Sequence, residues 1–204
     1  MSGGKFIVLE GIDGSGKTTV ARHICGVLGR KAVFTSEPYD SRFLRSIEEL
    51  LPYRDIDSVR AKALAFTADR AAHTKVIKEW LRSGRHVICD RYFMSTIAYQ
   101  GAESGYARGK MIDWIRCLNE PFRSLPHAII YMDSDPGIAV SRITGRDSRL
   151  KAFEKAAFLK KVRINYSAEM KLYTGRKFNV RADAELSRLK EEAVGIVEGV
   201  IGSR

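Results

Sequence analysis

The segment GIDGSGKTT, residues 11–19, contains the residue types of a phosphate-binding loop. Gly11, Gly16, Lys17 and Thr18 fit the pattern G-x-x-x-x-G-K-[ST], and the apolar run FIVLE precedes them. Glycines let successive backbone N–H groups converge, and the start of a following helix adds partial positive charge. A turn with only a geometric role would not require a lysine followed by a threonine. The segment therefore predicts a nucleoside triphosphate site, with Lys17 on the β- and γ-phosphates and Thr18 on Mg²⁺.

This loop predicts where a triphosphate binds, but it does not predict which group receives the phosphoryl group. Switch proteins, motors and kinases all share the loop. The contacts expected within it are Gly11, Gly14, Ser15, Gly16, Lys17, Thr18 and Thr19. The acceptor has to be identified from the rest of the chain.

Five short apolar runs alternate along the chain with longer segments of helical period. The runs are residues 5–10, 31–35, 86–90, 128–133 and 177–180. This order predicts a parallel sheet with helices on both faces and ligands beyond the carboxyl ends of the strands. No internal repeat or linker is visible. The sequence therefore predicts one doubly wound α/β domain over residues 1–204.

Three helices can be bounded from the sequence. The first follows the loop over residues 17–28 and ends at Gly29. The second begins after a cap at Asp57 and ends at Ser83-Gly84, where glycine can adopt the left-handed conformation that closes a helix. The last segment has apolar residues spaced for one buried helical face. Those residues are Leu186, Leu189, Ala193, Val197 and Val200.

The composition limits the kinds of partner. The net charge of +11 implies an anionic partner, and residues 141–163 concentrate eight lysines and arginines against two acids. The three cysteines and four histidines are scattered, so we expect no metal held by protein side chains alone. Any metal should arrive with a substrate. The chain has no long apolar span, which predicts a cytoplasmic protein without a membrane segment.

Segments after the loop form a second and more specific pattern. GIDGSGKTT is followed by SEP (36–38), FTADR (66–70), DRYFMSTIAYQG (90–101) and an arginine-rich stretch. In this order, and over nearly the whole chain, the segments resemble the thymidylate kinase family. The resemblance implies a P-loop nucleoside monophosphate kinase fold, which is a three-layer sandwich with a five-stranded parallel sheet and a lid. It also implies phosphoryl transfer from ATP, with Mg²⁺, to dTMP.

The resemblance assigns most of the acceptor site. Phe66 is expected to stack on thymine and Arg70 to donate to a ring carbonyl, and their spacing of four places them on one helix face. Arg91 is expected to bind the 5′-phosphate with its planar guanidinium. Asp13 is expected to accept the sugar 3′-OH, while Tyr99 crowds the position of a ribose 2′-OH. The other expected contacts are Glu37, Pro38, Arg42, Ser95 and Gln100.

Two positions leave the arrangement of charges open. Many relatives have an arginine before the Glu-Pro pair, whereas this chain has Ser36. Arg42 or Arg45 on the next helix are the candidates to replace that arginine. Asp90 is expected either to orient Mg²⁺ through water or to hold Arg91, and the sequence does not choose between these roles.

The basic segment SRITGRDSRLK follows the fourth strand, where the family has a flexible lid, here at about residues 141–153. The loop itself has no arginine at positions 14–15, so the chain resembles members whose catalytic arginine comes from the lid. Arg146 or Arg149 is expected to reach the transferring phosphoryl group. A solvent-exposed basic helix is the alternative. The expected contacts of the adenosine part are Arg142 and Ala182.

Two other functions are compatible with these patterns. A kinase for another nucleoside monophosphate, or for a deoxynucleoside, would share the loop and the lid. A P-loop ATPase that binds DNA or RNA would use the basic surface instead. The basic segment lacks interleaved aromatic residues, which favours a phosphate lid over a strand-binding groove, so we expect no nucleic-acid partner. The family resemblance also implies a homodimer.

Overall fold

The computed structural model describes residues 3–50, 56–105, 108–144 and 149–203. Its strands form one five-stranded sheet in the order β2-β3-β1-β4-β5, and all neighbours pair in parallel. The strands are Phe6–Glu10 (β1), Ala32–Ser36 (β2), His86–Asp90 (β3), Ala128–Asp133 (β4) and Lys177–Arg181 (β5). Each predicted strand is confirmed to within one residue.

Helices cover both faces of the sheet, which confirms the predicted three-layer α/β fold. The helices are Lys17–Leu28 (α1), Ser41–Leu50 (α2), Ile56–Arg82 (α3), Phe93–Glu103 (α4), Arg108–Asn119 (α5), Pro136–Thr144 (α6), Arg149–Leu172 (α7) and Leu186–Gly202 (α8). Helices α1 and α8 contribute to the core on one face, and α3, α4, α5 and α7 contribute to the core on the other. None of the described helices is both long and apolar enough to cross a membrane.

The central strand β1 shows why the strands are continuous apolar runs. Phe6 and Val8 belong to the core beneath α3, α4, α5 and α7, whereas Ile7 and Leu9 belong to the core beneath α1 and α8. All four are fully buried, because a central parallel strand has helices on both faces. Glu10 follows the alternation of Phe6 and Val8, so its side chain lies on the α4 and α7 side. The alternation of side chains along β1 therefore places Glu10 beneath these helices, where it is buried.

The predicted helix ends are mostly correct. Helix α1 ends at Gly29, and α3 ends just before Gly84, which has φ of +81°. The cap predicted at Asp57 is wrong, because it would place the first helical residue at position 58, whereas α3 begins at Ile56. Asp57 lies in the first turn, where its Oδ1 is 2.9 Å from Arg60 Nη1. An acid there pairs along the helix and also interacts favourably with the helix dipole.

The buried face predicted for α8 is confirmed at four of its five positions. Leu189, Ala193, Val197 and Val200 are buried, but Leu186 is 42% exposed. Leu186 is the first residue of α8 and lies at the carboxyl edge of the sheet, where it lines a cavity above the glycine-rich loop. The prediction that Leu186 is buried is wrong, because helical spacing does not show that the core ends before this first turn.

Candidate active site

The glycine-rich loop joins β1 to α1 at the carboxyl edge of the sheet. Gly14 has φ of +81°, and a Cβ there would lie 2.2 Å from the carbonyl oxygen of Ala139, so another residue would clash. Above the loop is a cavity of about 480 Å³. Predicted contacts that line it are Gly14, Ser15, Gly16, Lys17, Thr18, Thr19 and Arg142. We call it the donor cavity.

Two predicted ATP contacts, Gly11 and Ala182, do not line the donor cavity. Gly11 makes the turn out of β1, and a Cβ there would lie 2.6 Å from the Met132 carbonyl oxygen. The Ala182 carbonyl oxygen accepts a hydrogen bond from Arg142 Nη1 at 2.9 Å. In this structure, Ala182 therefore holds Arg142 at the cavity. Leu186 and other residues at the start of α8 complete the wall, and the sequence had indicated them only as a helix face.

Lys17 is buried beneath the donor cavity. Its Nζ donates to the Ile12 carbonyl oxygen at 2.7 Å and to Ser15 Oγ at 3.3 Å. Burial, and to a lesser extent the charge of Arg91, lower the pKa of Lys17 to about 7, although nearby carboxylates including Asp90 act in the opposite direction. The unliganded protein therefore loses the Lys17 proton much more readily than an exposed lysine would.

This pKa makes a prediction for ligand binding. A bound triphosphate favours charged Lys17, so binding above pH 7 should take up a proton, and affinity should fall by up to about tenfold per pH unit. Between about pH 7.5 and 9 the phosphates themselves are already ionised. Calorimetry in buffers of different ionisation enthalpy measures both quantities. Lys17→Arg is the control, because arginine stays charged. An equal pH dependence in this variant would exclude Lys17 as the titrating group.

Thr18 and Asp90 form a candidate magnesium site at the ends of α1 and β3. Thr18 Oγ1 donates a hydrogen bond to Asp90 Oδ2. Asp90 Oδ1 is buried and has no hydrogen-bond partner among the residues that the structure describes. A buried carboxylate oxygen without a donor is suited to a cation or to a water bound to one, and Mg²⁺ prefers oxygen ligands. Among the described residues, no group of three or more His, Cys, Asp and Glu side chains is placed so that it could hold a metal ion. The pair therefore fits a metal that arrives with the nucleotide.

Arg91 follows β3 directly and lies between two cavities. Its backbone has φ of +71°, a left-handed conformation that costs about 1 to 3 kcal/mol for a residue with a side chain. Its Nη2 donates to Asp13 Oδ1 and, at 3.3 Å, to the Tyr99 hydroxyl. Its guanidinium also lies 4.9 Å from the centre of the Tyr99 ring. Both Asp13 and Arg91 line the donor cavity and a second cavity beside it.

The second cavity, which we call the acceptor cavity, has a volume of about 260 Å³. Predicted substrate contacts that line it are Asp13, Glu37, Pro38, Phe66, Arg70, Arg91, Ser95, Tyr99 and Gln100. Phe66 is only half-buried, so it is available to the cavity and does not belong to the core. The structure thus brings together nine of the ten residues predicted to bind the acceptor.

Arg70 is the most enclosed charge of the acceptor cavity, with 1% of its surface exposed. Its Nε and Nη2 lie 2.8 and 2.5 Å from Glu37 Oε2, and its Nη2 also donates to Thr96 Oγ1 at 2.9 Å. The other oxygen of Glu37 lies 3.2 Å from His73 Nδ1. Nη1 also donates to Asn119 Oδ1, so four of the five guanidinium N–H groups are paired and one is left for a polar ligand. These bonds fix the direction of the guanidinium, so Arg70 can donate without rearranging.

Arg42 is the predicted substrate contact that lies outside the acceptor cavity. Its side chain is 87% exposed, and its Nε is 3.5 Å from Asp40 Oδ1. Arg45, the other candidate to compensate for Ser36, is also exposed. The structure therefore gives no replacement from α2 for the arginine that precedes the Glu-Pro pair in many relatives.

The two predicted lid arginines cannot be placed at the site. Arg146 lies outside the described residues. Arg149 begins α7, but the structure does not describe its side chain. Arg142 is the lid arginine whose side chain is described, and its Nη1 lies 3.3 Å from the Gly14 carbonyl oxygen.

Several cavity residues were missed by the sequence reasoning. Lys62 and Glu103 form an ion pair of 3.4 Å across the acceptor cavity, from α3 and α4. Their spacing offers a signal in hindsight, because Lys62 lies one turn before Phe66 and Glu103 one turn after Tyr99. Thr96 and Tyr92 also line the cavity.

A strand-to-helix phosphate loop and an adjoining cavity with its own cations define a P-loop phosphotransferase, with one site for a donor and one for an acceptor. A family model described as "Thymidylate kinase" matches residues 9–193. A "Probable thymidylate kinase" of Pyrococcus abyssi is 37% identical over 205 residues, which cover 96% of each chain. A protein with the same description from Methanococcoides burtonii is 33% identical over 202 residues, covering 98% of this chain and 99% of that one.

A further "Probable thymidylate kinase", from Staphylothermus marinus, is 38% identical over 167 residues, or 80% of each chain. The chain belongs to the thymidylate kinase family. It is therefore an enzyme of ATP-dependent phosphorylation of dTMP to dTDP, as the sequence predicted. This assignment favours that function over the other kinases and over the nucleic-acid-binding ATPase.

Proposed function

We propose that the enzyme transfers the γ-phosphoryl group directly between its two cavities, from ATP on the glycine-rich loop to the 5′-phosphate of dTMP in the acceptor cavity. One observation carries the proposal: Asp13 and Arg91 line both cavities, so the two sites share a wall. The acceptor phosphate is already anionic near neutral pH, so no general base is required. Positioning and charge neutralisation are then the main tasks of the protein.

On the donor side, Lys17 neutralises the β- and γ-phosphates, and Arg142 contacts the adenosine part. Thr18 and Asp90 would hold Mg²⁺, which would offset the negative charge of the phosphates during transfer. Gly16, directly before α1, offers its backbone N–H group, whereas the Ser15 N–H donates to the Ile12 carbonyl oxygen at 3.2 Å. Arg146 or Arg149 from the lid supplies a further cation to the moving group, and closure of the lid excludes water that would otherwise accept it.

On the acceptor side, Phe66 stacks on the base and Arg70 donates to a ring carbonyl. Arg91 binds the 5′-phosphate, and Asp13 accepts the sugar 3′-OH. The Tyr99 hydroxyl accepts from the Asp13 backbone N–H at 2.8 Å, so its ring is held against the sugar position. A fixed ring at this place supports the exclusion of a ribose 2′-OH.

From the sequence and the family we also infer a single domain over residues 1–204, a homodimer and a cytoplasmic location. The substrates are nucleotides, which fits a cytoplasmic enzyme. Exposed apolar side chains such as Leu64 on α3 offer contact area for a second copy.

Acceptor preference tests the proposal. With ATP and magnesium, dTMP should yield dTDP and ADP with a higher kcat/KM than dCMP, AMP or thymidine. A P-loop ATPase would instead release phosphate without forming a nucleoside diphosphate, and oligonucleotides would stimulate it. Chromatographic separation of the nucleotides distinguishes these outcomes. A preference for dCMP, AMP or thymidine would overturn the substrate assignment.

A further inference from the structure

A buried carboxylate lies directly behind Arg91, and the proposed reaction gives it no role. Glu10, the last residue of β1, has no exposed surface. Its Oε1 accepts from the backbone N–H groups of Tyr92 at 2.9 Å and Ser95 at 3.3 Å. Its Oε2 accepts from Ser95 Oγ at 2.6 Å and the Tyr166 hydroxyl at 3.0 Å. These donors belong to the start of α4 and to α7.

The Ser95 hydroxyl connects Glu10 to Arg91. Arg91 Nη1 lies 3.3 Å from Ser95 Oγ, and a guanidinium can only donate, so Oγ must present a lone pair to it. Serine has one hydroxyl proton, which must then point elsewhere. That proton has two acceptors: Glu10 Oε2 at 2.6 Å, or the Tyr166 hydroxyl oxygen at 2.7 Å, whose own proton then goes to Glu10 Oε2 at 3.0 Å. In both arrangements Glu10 accepts the last proton of this hydrogen-bonded chain, so a lone pair of Ser95 Oγ stays available to Arg91.

Glu10 also holds the backbone beside Arg91. The left-handed Arg91 is followed immediately by Tyr92, whose N–H donates to Glu10, while the N–H of Arg91 donates to the Leu9 carbonyl oxygen at 2.9 Å. The end of β1 thus binds two successive amides at the strained position. A strained conformation persists when its surroundings determine it in this way.

We infer that Glu10 is a positioning residue that holds Arg91 on the wall between the donor and acceptor cavities, through Ser95 and the Tyr92 amide. Burial raises the pKa of Glu10, whereas the hydrogen bond from Ser95 and the charge of Arg91 lower it. The inference rests on the proposed role of Arg91 as the ligand of the dTMP 5′-phosphate.

Glu10→Gln tests this inference with almost no change in shape. The amide NH₂ either faces the two backbone N–H groups, where donor meets donor, or faces the Ser95 and Tyr166 hydroxyls. In the second case it competes with Arg91 for the lone pairs of Ser95 Oγ, and the two hydroxyls lose their shared acceptor. Both arrangements disturb Arg91. We expect dTMP to bind about 10-fold more weakly, with unchanged affinity for thymidine, which has no phosphate, and for ATP. Calorimetric titration measures the three affinities.

Three further variants separate a positioning role from a loss of folding. Ser95→Ala removes the bridge but leaves the backbone bonds of Glu10, and it should give a smaller loss in the same direction. Tyr166→Phe is the matched control, because it removes the Tyr166 hydroxyl from both Glu10 and Ser95 Oγ, so the Ser95 proton goes to Glu10 and the bridge to Arg91 stays. Its preference for dTMP over thymidine should change less than about threefold. In an Arg91→Ala background, Glu10→Gln should cause no further loss of that preference.

The outcomes distinguish the inference from the proposal on which it rests. Suppose that Arg91→Ala selectively lowers the affinity for dTMP, but Glu10→Gln lowers the affinities for dTMP and thymidine equally or lowers neither. The positioning role of Glu10 is then overturned, while the role of Arg91 stands. If Arg91→Ala itself leaves the preference for dTMP unchanged, the role of Arg91 on the phosphate fails, and the role of Glu10 fails with it.

Discussion

Lys17→Ala is expected to lower kcat by about 10³-fold, because the transferring group loses the buried cation at the base of the donor cavity. Lys17 Nζ bonds to the Ile12 carbonyl oxygen and to Ser15 Oγ, so its nitrogen is already held within the loop before a ligand binds. Alanine cannot place any charge there. Rates of ADP formation at saturating ATP and dTMP measure the effect.

The loss should be confined to the donor side. Binding of dTMP alone should change little, because Lys17 does not line the acceptor cavity. Lys78→Ala is the matched control, since Lys78 is exposed on α3 and lines neither cavity. A Lys17→Ala enzyme that folds and turns over at a near-normal rate would show that the loop is not catalytic.

Removing the lid arginines should have an effect of similar size. Arg146→Ala together with Arg149→Ala is expected to lower kcat by roughly 10³-fold or more, while dTMP affinity falls only slightly. The reason lies in the described part of the donor cavity. Lys17 and Arg91 are its cations nearest the shared wall, whereas Arg142 is bound to the Ala182 and Gly14 carbonyl oxygens. The loop has no arginine of its own to complete the set.

Single-turnover measurements separate chemistry from product release in these variants. Arg30→Ala with Arg82→Ala is the control, because it removes the same charge from exposed positions that precede the amino ends of β2 and β3. Unchanged kcat in the lid variant would favour the alternative of a solvent-exposed basic helix. An equal loss of kcat in the lid variant and in the control variant would indicate a general effect of net charge.

The acceptor cavity shows which features of the site the sequence could predict. Phe66 and Arg70 were predicted from helical spacing and family order, and both line the cavity. Spacing could not predict that Arg70 would pair with Glu37, which is 33 residues away. That pairing depends on the end of β2 meeting α3, so it is set by how the elements pack.

Arg42 illustrates the opposite case. Its position after the Glu-Pro pair suggested a substrate contact, but the direction of the side chain depends on how α2 sits against the cavity. The structure turns it towards Asp40 and solvent. Sequence order indicates which element carries a residue and leaves its orientation open.

The sequence by itself determined the donor site and the order of elements, because both depend on local rules. Glycine conformations shape the loop, and continuous apolar runs mark strands buried on both faces. The role of Glu10 was decided only by the tertiary structure, because its partners Tyr92 and Tyr166 are 82 and 156 residues away in the sequence. A carboxylate at the end of an apolar run is ambiguous in sequence. It acquires a function only when packing removes water and brings in donors from distant helices.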